Sequence, residues 1–279
     1  MLSYLHGFHA GNHADVLKHT VLTATLARLV AKDKPLRYID THAGAGGYDL
    51  NALAARKNRE HDSGIGQVWQ STDAPAAVAR LLELVQRYNS GQSLRRYPGS
   101  PWLARELLRR NDSLYLYELH PAEHRALERN CEHDRRVKVL REDGLIGCLG
   151  LVPPPHKRGL LLIDPSYELQ NEHRLVIDAV VKAQRRFATG VVAIWYPLLE
   201  RRWVDRFERA LRATRIAPIA VYELGVAPEG RDRGLVGSGM FVINPPWQLH
   251  DDLQAALPWL AEKLARDGDG THRSLAELG

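Results

Sequence analysis

Cysteine is nearly absent from this chain. Cys131 and Cys148 are its only two in 279 residues and form no CxxC pair, which excludes a disulfide framework and a zinc ribbon and marks both as free thiols. Long apolar runs are missing too: no stretch approaches the roughly 20 residues that a membrane span requires. The opening segment MLSYLHGFHAGNHADVLKH mixes histidines with Asp15 and Lys18 and lacks the continuous apolar core of a signal peptide. A soluble, cytoplasmic protein is expected. A metal motif is also lacking. His9 and His13 stand four apart, but the expected helix begins near Ala14 and no glutamate follows as in HExxH, so no metal is expected.

What is present is an ordinary globular composition, 44% hydrophobic and 25% charged. The length suits one large α/β domain with an insertion or two modest domains. The formal charge is +5, and much of the excess comes as doublets: Arg95-Arg96, Arg109-Arg110, Arg135-Arg136, Lys157-Arg158, Arg185-Arg186 and Arg201-Arg202. Any one doublet fits a solvated helix end that complements the helix dipole. Their sum suits a polyanion such as nucleic acid.

Hydrophobic periodicity predicts an amphipathic helix from about Ala14 to Lys32, where Val16, Leu17, Val21, Leu22, Leu26 and Leu29 recur at three and four. Strand-like runs follow at 36–40, 114–119, 137–140, 159–164 and 191–196. Helical segments of crossover length separate them, at about 101–111, 121–133, 172–187 and 199–213, as in a doubly wound parallel sheet. Two last strands, about 216–224 and 239–243, are joined by the loop GVAPEGRDRGLVGS with no helix, which predicts an antiparallel pair and seven strands in all. Between Gly47 and Pro98 no strand is expected, only a helix over about 75–88. Residues 48–95 therefore read as an inserted helical subdomain of a domain built from 1–47 and 96–279. The tail DGDGTHRSLAELG reads as a frayed end.

The chemistry gathers where strands end. In Asp40-Thr-His-Ala-Gly44-Ala-Gly46-Gly47, at a predicted strand-to-helix turn, small residues let the backbone approach a ligand. The third glycine of a dinucleotide fingerprint would fall at Asp49, whose carboxylate would oppose a pyrophosphate. The turn suits instead a phosphate-free ligand such as S-adenosylmethionine, with Gly44 and Gly46 beside it. Glu118 ends the second strand, where a carboxylate can take both hydroxyls of a ribose. Asp143 and Gly144 follow the third, where a carboxylate can accept from an exocyclic amine and a glycine leaves room for the ring.

The strand GLLLID runs into Asp164-Pro165-Ser166-Tyr167. Adenine-N6 methyltransferases carry Asp/Asn-Pro-Pro-aromatic at such a turn. An exocyclic amine is a poor nucleophile, because its lone pair is delocalised into the purine. The Asp164 carboxylate and the Pro165 carbonyl can take its two hydrogens while Tyr167 stacks on the base. Ser166 replaces a rigid proline at about 1 kcal/mol of preorganisation, so a looser but working site is expected. Asn244-Pro245-Pro246-Trp247 matches the motif better but follows the last predicted strand, and is read as a chain exit packed by Trp247. The cluster of His6, His9, His13, Lys18 and His19 reads as ordering the N-terminus, contacting a cofactor carboxylate through Lys18 or His19, and reaching RNA phosphate, with His6 the candidate.

Taken together, residues 1–19, Asp40 to Gly46, Tyr97-Pro-Gly-Ser-Pro101, Glu118-Leu-His-Pro121, Ile163-Asp-Pro and Gly239 to Trp247 resemble the ribosomal RNA large subunit methyltransferase J family, the bacterial 23S rRNA adenine-N6 methyltransferases. The resemblance runs from residue 1 to about 265. It implies a monomeric, cytoplasmic enzyme with a Rossmann-like S-adenosylmethionine-dependent methyltransferase fold, acting on one adenine of 23S ribosomal RNA. It further implies that His19, His42, Ser100, Glu118, Asp143, Gly144 and Asp164 contact S-adenosylmethionine with Lys18 beside them, that Asp164 is the catalytic acceptor, and that Tyr4 meets the RNA. The family's turn is Asp-Pro-Pro-Tyr, so Ser166 departs from it. Two other readings stay open, a DNA adenine methyltransferase with the same turn and a catalytically silent RNA-binding module; an NAD-linked oxidoreductase fails on Asp49 and would be revived only by binding of a nicotinamide cofactor.

Overall fold

In the computed structural model, which describes residues 5–91, 93–169, 171–228 and 235–278, a helix precedes the first strand, as the periodicity predicts. Asn12 caps this helix, α1 (His13–Val30), by accepting from the Asp15 amide at 3.0 Å. The prediction of a single apolar stripe is not met: every residue from His13 to Leu26 is buried. Other elements cover the remaining faces, and the buried hydroxyls of Thr20, Thr23 and Thr25 are satisfied by backbone carbonyls one turn back, at 2.7, 2.8 and 2.7 Å.

After α1 come β1 (Arg37–Asp40), β2 (Gly47–Asp49), the helices α2 (Leu53–Asn58), α3 (Ile65–Val68) and α4 (Ala76–Tyr88), and β3 (Arg96–Pro98). The alternation resumes with α5 (Ser100–Leu107), β4 (Ser113–Tyr117), α6 (Pro121–Cys131), β5 (Val137–Leu140), α7 (Gly144–Gly147), β6 (Gly159–Ile163), α8 (Glu172–Arg186), β7 (Val191–Leu198) and α9 (Arg201–Ala213). It closes with β8 (Ile219–Gly225), β9 (Gly237–Ile243), α10 (Leu249–Leu264) and β10 (Thr271–Leu275). The main sheet is ordered β10-β8-β9-β7-β6-β1-β4-β5, with β7, β6, β1, β4 and β5 parallel and β9, β8 and β10 joined antiparallel. This is the α/β, Rossmann-like layout expected, including the antiparallel β8–β9 pair.

The central parallel strands β1, β6 and β7 are apolar on both faces because both are covered. Alternate residues feed two separate cores: Tyr38, Leu160 and Leu162 pack on the α1 side, Ile39, Leu161 and Ile163 on the α8 and α9 side. Residues 48–95 contribute Leu50, Ile65, Val68, Leu81 and Val85 to the same core as Leu17 and Leu22 of α1.

Four expectations are corrected. Residues 47–98 do contain strands: β2 and β3 pair antiparallel as a two-stranded sheet at the base of the excursion. The main sheet has eight strands, because the tail read as frayed forms β10 on the edge of β8. Arg273 fixes that strand by donating to the buried Glu208 and Glu223. Finally, Trp247 does not pack the chain exit. It is 82% exposed, and the chain continues into α10, whose Leu249, Leu253, Leu257, Leu260 and Leu264 are buried at helical spacing despite Pro258.

Candidate active site

The carboxyl ends of β6, β1, β4 and β5, neighbours in that order, present Asp164, Asp40, Glu118 and Asp143 side by side. Open α/β sheets bind ligands along this edge. One local expectation fails here. The glycine turn after β1 enters β2, not a helix, because the excursion leaves the fold at Gly47. The helix of that crossover is α5, and its first residue, Ser100, returns beside the turn through the Gly99 amide, which donates to Gly46 O at 3.0 Å. A side chain at Gly99 would be tight, since a Cβ there would lie 3.1 Å from the Gly46 backbone.

The turn itself is rigid. Gly44 takes φ +59°, and a Cβ there would lie 2.1 Å from the Tyr48 hydroxyl. Glu118 accepts from the Gly44 amide at 2.9 Å through Oε2 and from the His120 amide at 2.7 Å through Oε1. Each oxygen keeps a further lone pair for the expected ribose hydroxyls. Asp143 caps α7 by accepting from the Leu145 amide at 2.9 Å. Gly144 is pressed against β1's exit, where a Cβ would lie 2.2 Å from Thr41 O.

The sequence marks Asp40 only as the start of the glycine turn, and the structure gives it more. Its fully buried carboxylate receives the Ser100 hydroxyl at 2.7 Å, the Tyr38 hydroxyl at 2.8 Å and the His42 amide at 3.2 Å. Burial pushes its pKa up to about 6, with the Ser100 and Tyr38 bonds opposing. Because the Ser100 proton is directed at Asp40, that hydroxyl faces any ligand as an acceptor.

Two histidines are held neutral by burial, His19 at about 3 and His42 at about 4. His19 meets the Tyr97 hydroxyl through Nδ1 at 2.9 Å and stacks on that ring. Its Nε2 is buried with no partner among the described residues. A buried orphan of this kind calls for an absent partner, which suits the ligand-contact role expected of His19. With the Thr41 proton on Leu162 O, the His42 ring must donate from Nδ1, leaving Nε2 an acceptor.

At the β6 end, Lys18 donates to Asp164 Oδ2 at 2.6 Å and to Asp15 Oδ1 at 2.8 Å. The expectation for Lys18 is a place beside a cofactor carboxylate; the structure gives it two protein carboxylates, with one ammonium proton left over. Burial opposes its charge, but Asp15 and Asp164 together hold its pKa far above the ordinary lysine value. Burial raises the Asp164 carboxyl above its usual range while Lys18 pulls the other way. Among the described residues no donor reaches Asp164 Oδ1.

Asp15 is the residue that sequence reasoning missed. Only 2% exposed, it accepts from His6 Nε2 at 2.9 Å, the Gly11 amide at 2.8 Å and Lys18. Burial disfavours its charge, yet His6 and Lys18 hold its pKa well below the ordinary carboxylate value. His6, the RNA candidate, is thereby joined through Asp15 and Lys18 to Asp164. The spacing of Asp15 and Lys18, three apart on a helix, was the available signal. Glu60, from the excursion, braces the same segment by meeting His9 Nδ1 at 2.9 Å and accepting from Asn12 Nδ2 at 3.0 Å. The N-terminal histidines thus disperse to separate partners instead of converging. Tyr4 lies outside the described residues.

Tyr167 adopts φ +55°, a region that bulky residues avoid at about 1–3 kcal/mol and that recurs at functional sites. Its hydroxyl donates to Trp195 O at 2.7 Å, and its ring lies edge-to-face with Trp203 at 5.3 Å. The half-buried ring is thus fixed in orientation beside Asp164, with Pro165 buried between them.

Comparison with known proteins gives the family. Residues 33–275 match the family model described as "Ribosomal RNA large subunit methyltransferase D, RlmJ". Ribosomal RNA large subunit methyltransferase J of Escherichia coli is 46% identical over 270 residues, 97% of this chain and 96% of that protein. Its counterpart from Haemophilus influenzae is 44% identical over 272 residues, 97% of each. The crystal structure of protein LPL1258 from Legionella pneumophila superposes with a TM-score of 0.89 at 36% identity, covering 96% of this chain and 98% of that one. The chain belongs to the ribosomal RNA large subunit methyltransferase J family.

Proposed function

We propose that this protein transfers a methyl group from S-adenosylmethionine to the exocyclic N6 of an adenine in 23S ribosomal RNA. The observation that carries the reading is Asp164: one carboxylate oxygen is fixed by Lys18 and the other is open, next to the strained Tyr167. The family membership supplies the RNA substrate. The site is complete within one chain, which suits a monomer, and no helix among the described residues is long and apolar enough to cross a membrane.

The residues present fit the cofactor. Packing against Tyr48 and the Thr41 backbone requires glycine at 44 and 144, which keeps this strand-end edge free of side chains at those positions, and His19 Nε2 awaits a partner. Glu118 would hold the ribose, Asp143 the adenine amine, and Ser100, His19 and His42 the amino-acid end. When bound, S-adenosylmethionine supplies a methyl on a sulfonium, and sulfur retains the bonding pair as the N–C bond forms.

The target base must leave its stack to reach Asp164, at least expense from a loop or bulge. Asp164 Oδ1 and the Pro165 carbonyl accept the two amino hydrogens, drawing the nitrogen lone pair out of the ring and toward the methyl. Lys18 keeps Asp164 anionic and oriented, which favours an acceptor over a base. The proton lost after transfer can then pass to solvent.

The test is transfer of labelled methyl to unmodified 23S rRNA, followed by nucleoside analysis. N6-methyladenosine is expected with the wild type. Asp164→Ala should abolish it, and Asp164→Asn, which keeps an acceptor oxygen, should retain a measurable rate. Methylation at another atom, or full activity in Asp164→Ala, would overturn the reading.

A further inference from the structure

Four of the six basic doublets lie away from the active-site edge, whereas Arg201-Arg202 follows the carboxyl end of β7 and Arg95-Arg96 enters β3 beside the glycine turn. Lys157-Arg158, Arg109-Arg110 and Arg135-Arg136 stand just before β6, β4 and β5, and Arg185-Arg186 ends α8 ahead of β7. All lie at the amino ends of the parallel strands. That edge is separated from Asp164 by the height of the sheet, about 17 Å for a five-residue strand.

Within each doublet the two cations do different work. Arg109 donates to the carbonyls of Val30, Lys32 and Lys34, Arg158 to those of Leu29, Lys32 and Lys34, Arg136 to those of Arg105 and Leu108, and Arg186 to that of Leu149. These satisfy helix ends and loops. The other members, Arg110, Arg135, Lys157 and Arg185, are exposed, as are Lys32 and Lys34 before β1. No side-chain bond or ion pair holds any of these six among the described residues. Helix capping accounts for the first set and leaves the second unexplained.

The strand order sets the second set in a row. Across β7-β6-β1-β4-β5 it reads Arg185, Lys157, Lys32 with Lys34, Arg110, Arg135. Exposed acids stand among them too: Asp33 and Glu132 in the row, Glu106 one turn before Arg110, and Asp251 four residues past Trp247. At the β9 end stands Trp247, 82% exposed. Asn244 ties its loop to this edge by donating to Ala188 O at 2.8 Å and Gly190 O at 2.9 Å. Six neighbouring strands at about 4.8 Å span roughly 24 Å. A line of cations with an aromatic is what a single-stranded nucleic acid requires: charges for phosphates and a ring for a base.

We propose that this amino-end edge is a second RNA-binding surface. It holds a segment of the same ribosomal RNA away from the target adenine, with phosphates on the cation row and an unpaired base stacked on Trp247. The inference rests on the RNA-methylating reading above.

The test uses a full-length unmodified 23S rRNA transcript and compares the wild type with Arg110→Gln/Arg135→Gln/Lys157→Gln/Arg185→Gln, with Trp247→Ala, and with the control Arg206→Gln/Arg209→Gln on α9. The slope of log affinity against log salt should fall by about 3 in the quadruple variant, at roughly 0.7–0.9 for each phosphate that is no longer neutralised. KM for the transcript should rise about tenfold or more near 0.1 M salt, while kcat and S-adenosylmethionine binding hold. Trp247→Ala should weaken RNA binding about tenfold without changing the slope. A slope change below about 1 with unchanged KM overturns the proposal, as does an equal change per charge in the α9 control. Should the wild type methylate nothing, the catalytic reading fails, and the binding slopes still decide this one.

Discussion

Replacing Lys18 by methionine keeps a long unbranched stem and removes only the ammonium. In the native protein that group lies 2.8 Å from Asp15 and 2.6 Å from Asp164 at 6% exposure. Its loss leaves the largely buried Asp164 without a counter-charge and Asp15 with His6 alone, and breaking a buried pair from one side costs about 3–5 kcal/mol. At about 2–4 °C per kcal/mol for a chain of this size, the unfolding midpoint should fall by roughly 6–20 °C. Lys18 also opposes the burial that raises Asp164, so its removal raises that carboxyl further. The acid limb of the methyl-transfer profile should therefore move to higher pH. Adding Asp164→Asn removes the stranded Asp164 charge and should recover part of the midpoint. Thermal unfolding at neutral pH and initial rates across about pH 5–9 read both effects. A midpoint within about 2 °C of wild type, together with an unmoved acid limb, would refute the clamp.

Asp40, at about 6 against an ordinary 3.8, keeps a proton in the folded state that the unfolded chain has lost. Its contribution to stability is present below about pH 4 and declines as pH rises through 6. Ser100→Ala removes a bond that lowers this value, so a carbon-13 NMR titration should show Asp40 moving higher still; an unchanged titration would disprove the Ser100 contact. Ser166→Pro should stabilise by about 0.4–1 kcal/mol and raise kcat about two- to fivefold, the kinetic equivalent of that preorganisation. A tenfold loss would instead make the Ser166 hydroxyl a participant. Arg273→Met removes charged hydrogen bonds worth about 1.5–3 kcal/mol, so the midpoint should drop by several degrees and protease should cut the β10 segment first. Equal resistance in the two proteins would contradict its fastening role.

The parallel strands were legible because β1, β6 and β7 are short, doubly buried apolar runs whose limits are set by polarity, and the edge strand β5 still carries valine and leucine. Their carboxyl-end acids could be ordered from sequence for the same reason. The tail was not legible: Thr271 to Leu275 is polar except for Leu275, and what fastens its ladder to β8 is an ion pair with Glu208 and Glu223, about 50 residues and more upstream. Helix α10 carried its leucine spacing in plain view, but the preceding Asn-Pro-Pro-Trp read as a chain exit. At the site, Glu118 and Asp164 announced themselves by position. The roles of Asp15 and Lys18 did not, because Lys18 meets Asp164 across 146 residues of chain. Such a contact exists only once α1 is laid over the sheet.

The shared core of α1 and residues 48–95 bears on how this protein unfolds and how its lineage can be trimmed. Ile65, Leu81 and Val85 lie in the same packed interior as Leu17 and Leu22, and Glu60 grips His9 and Asn12 ahead of α1. A segment with its own core could melt first or be deleted with little harm to the rest. This one offers no such seam. Its amides should exchange with solvent only as slowly as those of α1, in one cooperative opening. A descendant that lost the segment would have to rebuild the surroundings of the helix that carries Lys18.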